Sequence, residues 1–448
     1  MINDIIKILN LKGYDIDILK SYLEDSLSNK IKLHIYLNKR DLKCPYCGAK
    51  SKLKEYRIKE IKHSVFIDVE CSIIFHNRRM VCIECDKTFM ENNPFCFDGH
   101  KADIETEISI LNQLKDYKMT FKKLSDLYHL SITTIIRIFD RRIQLTRHSF
   151  GEWISMDEFY SRKISSSGYC LTFYDPIHKT ILDVISSRHK RILSDYLSRI
   201  SLSERKRVRY VSIDMWETYK DVAIRAFPNC IIAVDSFHVI KHLNKALDKV
   251  RIKIMNKYKH NQGDNIGYYR LLKKFHYFFT TDMSNIKFKP KKGSKYEYLY
   301  DKYGMLNKLL SIDKELKKAY ELKELYREFN LCSTYEESQE LLTNIIDIFK
   351  TSKIEEYYSF ISTLENWFPE ICNSFKIVYN KRLSNGPIES LNSRVKILLK
   401  NACGYSNFDR FKNRLMYSLN KNEPIIGYNN KNSYNRIGKS RGSYKKTK

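Results

Sequence analysis

The stretch from Trp153 to Ile240 decides the fold: residues 153–159 read WISMDEF, 168–174 GYCLTFY, 180–186 TILDVIS, 208–214 VRYVSID and 230–238 CIIAVDSFH. Each is a short apolar run rich in β-branched and aromatic residues, which reads as a strand. The first and fourth runs end in carboxylates, Asp157 and Asp214. Asp175-Pro176-Ile177-His178 is a turn sequence that makes a hairpin of the second and third. A helix reaching to about Phe227 leads into the last strand, Cys230–Val234, and on to Asp235 and His238.

The order β-β-β-(α)-β-α-β matches an RNase H-like sheet, in which the first and fourth strands lie side by side and Asp157 faces Asp214. A third acid is expected from far downstream. Ser384-Asn385-Gly386-Pro387 is a cap with Pro in the first turn, and it opens a helix carrying Glu389. At about 100° per residue, Glu389, Asn392, Ser393, Lys396 and Lys400 share one face, while Ile388, Leu391, Val395, Leu398 and Leu399 share the other. The apolar face is expected to pack on the sheet. The polar face starts with a carboxylate and continues with Asn392, Lys396 and Lys400, suited to a phosphate backbone. Taken singly, each Asp reads as a strand-end turn residue and Glu389 as an ordinary first-turn acid; only the ordered set points to a site.

Three gathered carboxylates are unfavourable by themselves. Two like charges 4 Å apart repel by about 1 kcal/mol in water and about 4 kcal/mol at an effective dielectric of 20. Cations relieve that repulsion, and oxygen ligands suit Mg²⁺ or Mn²⁺, which accept phosphate oxygens as well. Two such ions can activate a water or a 3′-hydroxyl and stabilise the leaving oxygen of a phosphoryl displacement. Asp157, Asp214 and Glu389 are therefore the expected catalytic and metal-holding acids.

Cysteines suggest a second metal. Cys44-Pro-Tyr-Cys47-Gly48 and Cys82-Ile-Glu-Cys85 are two CxxC pairs separated by 34 residues. Each pair places two thiolates on one tight knuckle, and two knuckles make a tetrahedral site suited to Zn²⁺. The spacer alternates like a hairpin and so brings the second knuckle back to the first. The competing reading is ordinary buried or reactive thiols, as expected for Cys170, Cys230, Cys332, Cys372 and Cys403.

Between these regions, residues 119–138 read as two amphipathic helices around a short turn. Leu124, Leu127, Ile135 and Ile138 fit a core face, and Ser131 is placed to cap the second helix. A helix-turn-helix of this kind leaves Thr133, Thr134, Arg137, Arg141 and Arg142 to meet DNA, with the hydroxyls near base edges and the arginines near phosphate. A plain helical hairpin is the alternative.

Composition agrees with a polyanionic partner: 80 Lys+Arg against 52 Asp+Glu give the 448 residues a net charge of +28. No apolar run approaches the ~18 residues of a membrane span, and residues 1–10 lack the features of a secretion signal. The expectation is a cytoplasmic, nucleoid-associated protein with no membrane partner. By texture the chain divides into a β-rich zinc module (1–100), a helix-turn-helix domain (101–148), the first part of the core (150–240), a helical insertion (241–380), a Glu-bearing helix with a following turn (381–420) and a basic flexible tail (421–448). The fold class expected is thus an α/β RNase H-like catalytic core with a large all-α insertion, preceded by the zinc and helix-turn-helix modules.

At these residues the sequence resembles the DDE transposases of bacterial insertion sequences, specifically the ISL-three group. The matching words are CPYCG (44–48) with CIEC (82–85), the helix-turn-helix, MDEF (156–159), SIDMWETY (212–219), PNCIIAVDSFHVIKHLNKALDKVR (228–251) and LSNGPIESLNSRVKILLKNACGYSNFDRF (383–411). The resemblance implies Asp157, Asp214 and Glu389 as the catalytic triad. It implies Asp235 and His238 as a D-x-x-H element supporting the active site, and the stretch 241–380 as the group's helical insertion. Many members carry Gly after the Glu; here Ser390 stands there. It further implies double-stranded DNA as partner, at the terminal inverted repeats of the protein's own element and at a target site, with a homodimer or larger active complex. The alternatives are a zinc and helix-turn-helix regulator, or domesticated transposase, that no longer cuts, and a repair or recombination nuclease on the same core. The intact acids favour the first reading, since a regulator has no use for a costly acidic cluster.

Overall fold

The computed structural model describes residues 2–24, 30–63, 70–165, 167–259, 265–289, 301–332 and 334–426. The tail beyond residue 426, residues 64–69 of the spacer between the cysteine pairs, and residues 260–264 and 290–300 of the helical insertion lie outside the described residues. Two units are present: Met1–Thr146 with Leu398–Cys403 and Asp409–Lys448, and Arg147–Ile397 with Gly404–Phe408.

The first unit opens with a helix, α1 (Ile2–Ile8), where the sequence reading had only β-leaning texture. Its signal is the apolar stripe Ile2, Ile5, Ile6, Leu9, which has helical spacing. Five strands follow: β1 (Tyr22–Glu24), β2 (Lys30–Ile35), β3 (Ser51–Lys62), β4 (Glu70–Cys82) and β5 (Thr88–Met90). They form one sheet in the order β1-β2-β4-β3, with β5 also on β4. Leu33, Ile35, Ile61, Ile73, Phe75 and Phe95 close over α1 as its core. Helices α2 (Ile104–Gln113), α3 (Phe121–Leu127) and α4 (Ile132–Arg142) come next. Each has a side-chain cap: Asp103 accepts from the Thr106 amide, Thr120 from Lys123 and Ser131 from Thr134. Such caps satisfy amides that the first helical turn leaves unpaired.

The second unit is built on a five-stranded mixed sheet: β6 (Trp153–Tyr160), β7 (Tyr169–Asp175), β8 (Thr180–Ile185), β9 (Tyr210–Ile213) and β10 (Ile231–Val234). The order is β10-β9-β6-β7-β8. β10, β9 and β6 run parallel, while β7 and β8 are antiparallel. Two short helices, α5 (Lys190–Ser198) and α6 (Leu202–Arg207), fill the connection from β8 to β9, and α7 (Glu217–Ala226) joins β9 to β10. The strands are buried along nearly their whole length, which is why they read as apolar runs without alternation.

α8 (Ser236–Lys257) leaves β10 and buries Val239, Leu243, Leu247, Val250 and Ile254 along one stripe. That stripe joins a helical region of α9 (Asn265–Lys274), α10 (Tyr277–Thr280), α11 (Lys302–Leu310), α12 (Lys314–Cys332), α13 (Tyr335–Thr351), α14 (Tyr358–Asn366) and α15 (Phe368–Asn373). Leu316, Tyr326, Phe349, Phe360 and Leu364 belong to the same apolar cluster as the sheet residues Ile154, Leu171 and Ile213. A small hairpin, β11 (Ile377–Val378) and β12 (Lys381–Arg382), turns through Tyr379 and Asn380, both at positive φ (51° and 58°). Leu383 then packs with Trp153 and Ala233, seating the start of α16 (Gly386–Asn401) on the sheet.

A second helix, besides α1, escaped the sequence reading. Residues after α16 were expected to form only a turn, yet α17 (Phe408–Leu419) is a full helix of the first unit. Its buried side includes Arg414, which breaks the apolar pattern. The guanidinium is satisfied there by the carbonyls of Leu114, Asp116 (2.9 Å) and Met119 (2.9 Å).

Candidate active site and metal centre

Strand register gathers the acids. Parallel pairing of β6 with β9 ends at Met156↔Ile213, and that of β10 with β9 ends at Val234↔Ile213. The next residue on each of these three neighbouring strands is an aspartate: Asp157, Asp214 and Asp235. The sequence reading ended the first strand near its carboxylate. In fact β6 continues to Tyr160, paired only with β7, so Asp157 sits where the strand has lost one neighbour.

Asp235 ties two helices to this edge. Its Oδ1 accepts the Phe237 amide at 2.8 Å, capping α8, and its Oδ2 accepts the Asn385 amide at 2.7 Å, just before α16. The cap puts His238 in the first turn of α8, with Nε2 3.1 Å from Asp214 Oδ1 and 3.7 Å from Glu389 Oε1. Asn385 is fully buried; its Nδ2 lies 3.2 Å from the Met156 carbonyl and 3.4 Å from Asp214 Oδ1. Asn392 Nδ2 donates to Asp157 Oδ2 at 2.6 Å.

Burial pushes the Asp157 carboxyl up to about 7, with the Asp214 charge adding to the effect. Glu389 is raised by burial and then by the Asp235 charge. His238 is raised by its hydrogen bond to Asp214 against the opposing effect of burial. Burial is the largest cause for both carboxyls, with neighbouring negative charge adding to it, while the hydrogen bond to Asp214 favours the protonated imidazole.

The cysteine centre is tighter. β3 and β4 pair from Ser51↔Cys82 along their length, so the hairpin spacer returns the second knuckle to the first. Cys44, Cys47, Cys82 and Cys85 have their Sγ atoms within 4.8 Å of one another, and among the described residues no other set of three or more metal-type side chains is gathered so closely. Sulfur separations are 3.4 Å (47–82), 3.6 Å (47–85) and 3.7 Å (44–85). A tetrahedron of Zn–S bonds of about 2.3 Å has edges of about 3.8 Å, so the donor set fits zinc. Gly48 takes φ 75° after the first knuckle. In the second, the Cys85 and Glu84 amides both lie 3.4 Å from Cys82 Sγ and lower that thiol to about 7, easing its conversion to the metal-binding thiolate.

Residues 154–415, more than half of the chain, match the transposase family of the ISL-three DDE group. The chain belongs to this transposase family. Over 115 residues it is also 33% identical to a protein of Lactococcus lactis subsp. lactis described as an ATP-dependent protease; the match covers 25% of this chain and 33% of that protein's length. No helix among the described residues of the transposase is long and apolar enough to cross a membrane.

The other site residues expected of the transposase fall into two groups. Thr133, Arg137 and Arg141 are exposed on α4, and Lys396 and Lys400 are exposed on α16. Thr134 is half-buried, its Oγ1 2.8 Å from the capping Ser131 Oγ. Two residues expected at DNA are buried instead. Arg142 lies over the Phe97 ring and pairs with Glu107 at 3.2 Å, and Asn392 is turned to Asp157. Arg142 follows Arg141 by 100° of helix, enough to move it from solvent to core.

The sequence reading also missed one partner of the acids, Asn385, and a network around Glu158 beside Asp157. Asn385 was seen only as part of a cap. Glu158, whose side chain alternates to the opposite side of β6 from Asp157, binds Arg188 at 2.7 Å and accepts from Tyr219 at 2.9 Å. Arg188 in turn stacks on Tyr169 and Trp216, 4.0 and 5.0 Å from the ring centres. The MDEF and SIDMWETY words held this signal, but nothing in one sequence says that their residues meet.

Proposed function

We propose that this transposase binds double-stranded DNA at the terminal inverted repeats of its own element and carries out divalent-metal-dependent strand cleavage and strand transfer into a target site, with Asp157, Asp214 and Glu389 as its catalytic acids. The observation that carries the reading is the register that sets Asp157 and Asp214 one residue beyond the paired ends of adjacent parallel strands, with Glu389 joined to Asp214 through His238. The neighbouring first and fourth strands likewise support an RNase H-like reading of the core.

Oxygen donors of this kind suit Mg²⁺ or Mn²⁺, which when bound activate an attacking water or 3′-hydroxyl and neutralise the leaving oxygen. The protein's own residues do the positioning. Asp235 fixes the starts of α8 and α16, His238 holds Asp214 and Glu389 toward each other, and Lys396 and Lys400 offer charge to the backbone of a bound strand. Zn²⁺ at the four cysteines shapes the first unit, whose exposed Thr133, Arg137 and Arg141 form the DNA-reading side of the helix-turn-helix. Two ends cut together call for a dimer or larger complex.

Asp214→Asn is the test. End binding without metal is expected to stay within twofold of the native protein, while Mg²⁺-dependent cleavage of a repeat-bearing duplex falls by about a thousandfold or more, equivalent to several kcal/mol of lost charge stabilisation. A variant that still cuts rules out the assigned site; a native protein that binds the repeats and never cuts is the regulator instead.

A further inference from the structure

α16 carries more than Glu389 to the acids. Glu389 and Asn392, three residues apart, share one face of the helix, and Asn385 lies just before its start. Asn392 is 6% exposed, which excludes the phosphate contact expected of it from the sequence. Its Nδ2 donates to Asp157 Oδ2 at 2.6 Å and lies 3.4 Å from the Glu158 carbonyl. The other carboxylate oxygen, Oδ1, receives the Glu158 amide at 2.7 Å. Both oxygens of Asp157 are thus held, each by one donor, and each keeps a lone pair.

The far end of the Asn392 amide is the informative part. Its Oδ1 is buried without a hydrogen-bond partner among the described residues, a cost that a leucine of similar volume avoids at the expense of the donor to Asp157. Residues on the packed side of the same helix, Ile388, Leu391 and Val395, show that the position tolerates apolar neighbours. An arginine or lysine there would neutralise Asp157, whereas an amide restrains the carboxylate and leaves its charge in place. The residue thus gives the buried Asp157 a donor at the cost of its own unpaired oxygen, an exchange that fixes the direction of the carboxylate.

We propose that Asn392 is a positioning residue that sets the carboxylate of Asp157 for a divalent ion, a role that rests on reading Asp157 as a metal-holding acid. Partners of metal-binding carboxylates typically change metal affinity or activity by about 10- to 100-fold when removed.

The test uses the full-length, zinc-replete protein and Mn²⁺ as probe. Asn392→Leu is expected to fold, with its unfolding temperature lowered by the donor it takes from the buried Asp157, and to bind repeat DNA without metal within twofold of native. It is expected to weaken Mn²⁺ binding, measured by calorimetry without DNA, by about 10- to 100-fold. The Mn²⁺ concentration for half-maximal cleavage moves by the same factor, and saturating Mn²⁺ recovers most of the rate. Asn392→Ser, a shorter donor, falls between the two and serves if the leucine variant does not fold. A lowered melting temperature with unchanged Mn²⁺ affinity makes Asn392 a structural residue and overturns the proposal. Asp157→Asn and Asp214→Asn separate the two levels: if neither changes Mn²⁺ binding, the carboxylate reading falls and this proposal with it. If both weaken it and Asn392→Leu does not, only the role of Asn392 is refuted.

Discussion

The two candidate metal centres are built on opposite plans. Four thiols of the first unit lie within 4.8 Å of one another, the closed donor set of a structural site. The acids of the second unit are instead held individually, Asp157 by Asn392, Asp214 by His238 and Asn385, and Glu389 beside His238. One centre is a closed cluster of thiols; the other is a set of carboxylates each oriented by a protein partner. The lesson is that removing metal should dismantle the first and leave the second standing.

Zinc removal gives the largest expected effect. Stripping the metal, with Cys47→Ser to prevent recapture, should cost the module about 10–16 kcal/mol of apparent binding energy. Hydrogen exchange should then speed up at the Ser51↔Cys82 end of the hairpin. Withholding magnesium, in contrast, should leave exchange in β6 and β9 unchanged; accelerated exchange there would erase the distinction between the centres.

The next effect has the opposite sign. Asp157 has its carboxyl raised from 3.8 to about 7. Between those values the folded protein keeps a proton that the unfolded chain has released, so this group's contribution to stability falls as pH rises, and the loss is complete above about 7. Asp157→Asn removes the buried charge. In magnesium-free, zinc-replete buffer at pH 8 it should raise stability, by at most about 4 kcal/mol, and the gain should vanish near pH 4. Thermal unfolding across that range measures it, and a variant destabilised at pH 8 would show that the acids are not held under electrostatic strain.

The smallest effect tests the closed centre's backbone. Gly48 lies at φ 75° with open space where a Cβ would stand, so Gly48→Ala should cost only the left-handed conformation, about 1 kcal/mol. Zinc competition titration reads this as roughly fivefold weaker affinity; an unchanged affinity would mean the knuckle does not need that geometry.

Legibility followed the range of the interaction. Knuckles, caps and apolar strands are local, and Cys44-x-x-Cys47, Ser131 and the run Cys230–Val234 announced themselves through spacing and residue type. The helical periodicity of α16 was equally plain, and its apolar residues Ile388, Leu391, Val395 and Leu398 are buried as the wheel required. The same wheel put Asn392 on the polar side, because it counts polarity and not partners. Arg142 misled for the same reason: it is a cation whose buried neighbour, Glu107, comes from a residue distant in sequence.

What the chain determined by itself is therefore the set of parts: two cysteine knuckles, capped helices, and apolar strands carrying acids, each specified by hydrogen bonding and periodicity over a few residues. Only the tertiary structure decided which parts meet. Parallel register brings Asp157, Asp214 and Asp235 to adjacent strand ends, one carboxylate of Asp235 fastens both helices that carry His238 and Glu389, and an amide 235 residues away settles the orientation of Asp157. Those contacts cross long loops, and their energies depend on burial that no local stretch of sequence contains.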